Sequence, residues 1–137
     1  MSIADYFRRR SINLSTAIEQ VYGLRVDDEL DKSLEEARHA FSEWVEFDLD
    51  EILMLSPDDF ICKIESRRYQ LSFIDLIAQL TFQLIELFRQ STDFDKVANL
   101  ELKYLYLLRL MASTDKTYSI ERNNQMELLE TKYNLHR

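Results

Sequence analysis

Glu36-Ala-Arg-His39 has the Glu-x-x-His spacing of carboxylate-bridged dimetal sites, and Glu43 lies one helical turn beyond His39. Residues three apart on a helix share a face, so both side chains of the motif can reach one metal ion. A complete site of that kind needs a second such motif and two more glutamates from facing helices. The sequence offers one other histidine, His136, close to the C-terminal end. The helical pattern also turns His39 away from the apolar stripe of its own segment. A solvated histidine among acids explains the motif better than a metal ligand, and a metal-dependent enzyme using Glu36, His39 and Glu43 stands as an alternative. Cys62, the single cysteine, lies among Phe60, Ile61 and Ile64 with Lys63 beside it. A nucleophilic thiol needs a base or a positive environment. This one lies in an acidic stretch without a histidine partner, and is expected to be a partly buried structural residue. Serine catalysis has no elbow motif and only His39 to act as base. Among the carboxylates, Glu86 and Glu101 lie on the two most apolar segments. They are expected to form a polar seam with Arg89, Lys103 or Arg109 rather than an acid–base pair, which would need desolvation and divided pKa values.

The elements that must position these groups are helical throughout. The 137 residues fit one domain, residues 1–137, with an ordinary apolar fraction of 46%. One glycine leaves no phosphate-binding glycine loop, and one cysteine leaves no disulfide framework or thiolate zinc site. No cofactor is implied. A formal charge of −8 and a pI near 4.8 argue against direct nucleic-acid binding. No apolar core of signal-peptide length follows Arg8-Arg9-Arg10, and the apolar stretch 71–88 is broken by Asp75, Gln79, Gln83 and Glu86. It reads as a core helix rather than a membrane span, so a cytoplasmic location is expected.

Apolar periodicity predicts a first helix over about 3–22, capped by Ser2 and ended by Gly23 in a left-handed conformation, with room for a bend near Ser11. A second starts near Asp27 and carries Leu30, Leu34, Ala37, Phe41, Trp44 and Val45 on one face. Two short helices follow, one after the cap pair Asp48 and Glu51, the other started by Ser56-Pro57-Asp58-Asp59. Two long central helices are expected over about 69–90 and 94–112, returning on each other through Ser91-Thr92-Asp93. Ser119 caps a last helix bearing Ile120, Met126 and Leu129.

Charge is uneven along this framework. Residues 27–65 hold 14 acids against Lys32, Arg38 and Lys63, a balance of −11, while the remainder carries +3. Helix N-terminal acids and a solvated face account for about half of these acids. The functional reading is a docking face for a basic partner, with Glu36, Glu43, Glu46 and Asp50 on it. Of the aromatics that a groove would need (Trp44, Phe88, Phe94, Tyr104, Tyr106 and Tyr118), Tyr106 falls toward the polar side of its helix, beside Lys103 and Asn99. An exposed tyrosine there would join the interaction surface.

Asp5-Tyr6 with its following arginines, Glu51–Phe60, Asp75–Leu80 with Asp93–Val97, and Asp115–Arg122 together resemble small bacterial all-helical proteins built of tetratricopeptide-like helix pairs. The resemblance covers most of the chain and implies a single-domain all-α bundle of antiparallel helix pairs, with no catalytic residue. Val97 and Tyr104 stand where true tetratricopeptide repeats carry small residues. The expected function is a non-enzymatic interaction or scaffold module binding a protein partner or itself. The alternative is an acidic regulator that occupies a basic, nucleic-acid-binding partner through residues 27–65.

Overall fold

A computed structural model describes residues 2–115, 117 and 119–135. The order is α1 (Ile3–Val26), α2 (Leu30–Ala40), a π turn (Phe41–Val45), α3 (Leu49–Met54), α4 (Pro57–Ser66), α5 (Leu71–Gln90), α6 (Phe94–Thr114) and α7 (Ile120–Lys132). Among the described residues there is no β-strand. Three starts follow local chemistry. The hydroxyls of Ser2, Ser56 and Ser119 accept from the backbone N–H of Asp5, Asp59 and Arg122, each satisfying one of the donors that a helix start leaves open. Asp48, the other expected cap, makes no such bond.

α5 and α6 form the centre. α5 packs on α1, α2 and α6, and α6 also meets α3, α4 and α7. Ile77, Leu80, Leu84, Leu100, Leu105 and Leu107 are fully buried between these layers. α5 is long and apolar enough to cross a membrane by length and composition, and 56% of its most apolar window is buried within the fold. α1 and α2 pack as a second pair, joined through the Ser33 hydroxyl, which donates to the Val21 carbonyl at 2.8 Å.

Helix ends depart from the sequence expectation at Gly23. α1 runs straight through it to Val26, and Asp28 takes the left-handed conformation at φ 61°. Glu29 N–H then donates to the Leu24 carbonyl and Asp28 N–H to that of Arg25, the double closure of a Schellman end. α5 closes in the same way, with Thr92 at φ 59°. α1 is unbroken through Ser11. The second helix also ends early. Its last turn widens into a π turn, in which Glu46 N–H reaches the Phe41 carbonyl and Glu46 itself is left-handed at φ 65°. The apolar spacing of Phe41, Trp44 and Val45 suits either winding, so periodicity alone did not separate them.

Candidate functional site

The polar stripe of α5 forms one wall of a groove. Asp75, Ala78, Gln79, Phe82 and Gln83 lie along it at helical spacing, Tyr104, Leu108 and Met111 of α6 form the floor, and Ser119, Glu121, Arg122 and Gln125 of α7 face them. Ile18 of α1 completes the lining, and the groove encloses about 530 Å³. Its floor is apolar because α6 turns a Tyr–Leu–Met stripe upward between its neighbours. Phe82, an exposed aromatic, tilts over the Tyr104 ring at 5.8 Å.

The groove lies in a negative field. Burial raises the Tyr104 phenol to about 12, and the carboxylates of Asp75 and Glu121 add to this, although the hydroxyl donates to Gln125 Oε1 at 2.9 Å. Asp75 accepts from the Gln79 amide at 2.9 Å. Arg122, the one basic side chain among the described lining residues, is held by Asp115 at 3.6 Å and the Thr117 carbonyl at 3.2 Å. Among the described residues neither Asp75 nor Glu121 forms an ion pair.

The expected acidic face divides into separate roles. Glu46 lies between two arginines, 3.7 Å from Arg10 Nη2 and 3.5 Å from Arg67 Nη1. Asp50 binds Arg38 at 2.9 Å; that hydrogen bond, opposed by partial desolvation and backed by the charges of Asp50, Glu35 and Asp48, raises the guanidinium above its usual value. Glu43 is exposed on the π turn and Glu36 is half-buried on α2. Tyr106 is half-buried and packs on the core, with the Arg109 guanidinium over its ring at 5.6 Å, so it does not stand free as an exposed anchor. Its helix is covered on more sides than one amphipathic stripe suggests, because α3, α4, α5 and α7 all touch it.

His39 is exposed, as its place opposite the apolar stripe implies. Among the described residues no three His, Cys, Asp or Glu side chains converge as metal ligands, so Glu36, His39 and Glu43 do not assemble a centre. His136 and Tyr118 lie outside the described residues. Cys62 is exposed rather than partly buried. α4 turns Phe60 and Ile64, four apart, into the core, and a residue two positions from each must point away.

Glu101 does form a buried seam, with partners only partly those expected. Its carboxylate accepts from Lys132 Nζ and the Tyr133 hydroxyl, each at 2.7 Å, and meets Arg89 at 3.5 Å. Burial alone would raise this carboxyl, but the bonds from Lys132 and Tyr133 and the charges of Lys132 and Arg89 outweigh it and hold the group below its ordinary value. Glu86 is half-buried with Arg89 at 3.5 Å. Arg109 pairs with Glu130 at 3.1 Å instead. Lys103 takes no carboxylate among the described residues: it is wholly buried, and its ammonium donates to Asn99 Oδ1.

The carboxylates that are buried are thus neutralised by cations and serve to tie helices together. The groove gathers apolar and acidic groups without a nucleophile–base pair. No family model matches the chain, and neither a curated protein nor a solved structure matches it.

Proposed function

We propose that the protein is a non-enzymatic interaction module that receives a basic amphipathic segment of a cytoplasmic partner in the groove between α5 and α7. The observation that carries this reading is the pairing of an apolar floor, Tyr104, Leu108 and Met111, with the rim acids Asp75 and Glu121, which form no ion pair among the described residues. A helix laid in such a groove buries residues at i, i+3, i+4 and i+7 on the floor and sets lysines or arginines against the rim. The packing of α1 with α2 and of α5 with α6 through three-residue connections supports a tetratricopeptide-like arrangement of paired helices.

Selection of displayed helical peptides on the full chain tests this. Enriched peptides are expected to be cationic and amphipathic, and to lose binding to Phe82→Lys and to Asp75→Lys/Glu121→Lys, while the melting temperatures of these variants stay near wild type. Peptides that bind those variants as well as wild type would refute the groove. A second reading rests on the field around Arg38: residues 27–65 as an acidic face for a nucleic-acid-binding partner. Binding there would fall steeply from low to moderate salt and be insensitive to Phe82→Lys.

A further inference from the structure

A separate cavity of about 350 Å³ lies at the N-terminal end of α5, lined by Phe7, Arg10, Ser11, Glu46, Arg67, Arg68, Tyr69, Gln70 and Phe73. It shares no residue with the groove. In a chain of net charge −8 this lining holds three guanidiniums and one carboxylate, a local balance of +2.

The three arginines are held in different ways. Arg10 is buried, donates through Nε and Nη2 to the Trp44 carbonyl freed by the π turn, and lies 5.2 Å from the Phe73 ring and 6.0 Å from that of Tyr69. Arg67 lies over Phe47 at 4.4 Å and reaches Glu46. Arg68 is exposed, its guanidinium pairs with no described residue, and its backbone is left-handed at φ 52°. Arg68 follows the C-cap of α4, and its N–H donates to the Glu65 carbonyl, so the left-handed turn is a helix end that sets the direction in which the side chain leaves. Glu46 occupies the space between Arg10 and Arg67 as an internal anion. The walls on the other side are rings, Phe7, Tyr69 and Phe73.

We propose that this cavity binds a small organic phosphate monoester, its phosphate against Arg67 and Arg68 and its flat apolar body against Phe7 and Tyr69. A phosphate monoester carries about −1.5 to −2 at neutral pH, which matches the local balance. Guanidiniums take phosphate oxygens through paired N–H donors. The ring wall selects a monoester with an apolar body over the bare ion. Glu46 competes for the same donors, so it sets the affinity.

Calorimetric titration of the full chain at low ionic strength with phenyl phosphate, inorganic phosphate and benzyl alcohol tests the site. Phenyl phosphate is expected to bind more tightly than either of the others. Arg68→Gln, at an exposed position without a side-chain partner, is expected to weaken it about tenfold while leaving the circular dichroism and melting temperature unchanged. Glu46→Gln is expected to tighten it several-fold by removing the internal competitor. The proposal is overturned by phenyl phosphate binding no better than benzyl alcohol, by an Arg68→Gln chain that binds as wild type, or by capture of a phosphotyrosine peptide but not of phenyl phosphate. Loss of peptide binding at Phe82→Lys tests the groove alone, so the two readings fail separately.

Discussion

Replacing Lys103 by Met should make the protein more stable, and more so at neutral than at alkaline pH. Lys103 has no accessible surface, and among the described residues its ammonium donates to the neutral Asn99 amide alone. Burial lowers its pKa from 10.5 to about 8, a penalty on the charged form of about 3 kcal/mol. Below pH 8 the amine is protonated in both states, and the folded state bears the whole penalty. Between about 8 and 10.5 the folded chain gives up the proton that the unfolded chain keeps, so wild-type stability rises with pH there. Above about 10 the phenols reverse the trend. Burial holds Tyr104 near 12 and Tyr133 higher still, so both ionise first in the unfolded chain. The wild-type curve should therefore peak near pH 10. Met keeps the unbranched shape of the lysine stem without the charge. Allowing for the bond lost from Asn99, the variant gains about 2 kcal/mol at pH 7, and the gap closes toward pH 10. Urea unfolding followed by far-UV circular dichroism at several pH values measures it, and taking the difference between the two proteins cancels the growing net repulsion. A variant less stable than wild type at pH 7, or a gap that does not narrow, would refute the reasoning.

Two further outcomes follow from named contacts. Glu101→Gln removes the anion shared by Lys132, Tyr133 and Arg89 and should lower stability at pH 7 by about 1 kcal/mol in denaturant titration. Because the folded carboxyl is held below its usual value, this stability is present above the unfolded pKa of about 4.3 and disappears as pH falls through the folded value, where the two proteins converge. Thr92→Gly replaces a β-branched residue at φ 59° and should raise stability by about 1 kcal/mol, whereas Asn134→Gly at φ 57° should change it little, because asparagine tolerates that conformation. Thermal melts of the two variants side by side would expose an error in either sign.

The long helices, and the starts of α1, α4 and α7, were legible because each rests on local chemistry: apolar residues at helical spacing, and a serine whose hydroxyl meets a free N–H. The end of α1 was not. Gly23 looks like a terminator, yet a Cβ there would meet nothing within 4 Å and the backbone stays helical, so the left-handed turn fell to Asp28. The wall of the groove was visible as the polar stripe Asp75, Gln79, Gln83, but its floor depended on how α6 and α7 pack beside it. The arginine cavity gave no signal of spacing, since Phe7, Glu46 and Arg67 meet only through tertiary packing. Lys103 was expected to find a carboxylate because buried lysines usually need one; Glu101 instead faces Arg89 and Lys132, a different side of the same helix.

The π turn has a genetic corollary. Such a turn is an α-helix with one residue too many, and here Ser42 and Glu43 of the surplus winding are exposed. A single-codon deletion at Ser42 would rewind that stretch as plain helix without removing any core side chain. The chain beyond would stay close to its register, while the turn that holds the Trp44 carbonyl and Glu46 against Arg10 would be rebuilt. Descendants of this chain could thus discard the pocket in one in-frame event and keep the bundle, so loop length between Ala40 and Phe47 is the quantity along which its lineages should sort.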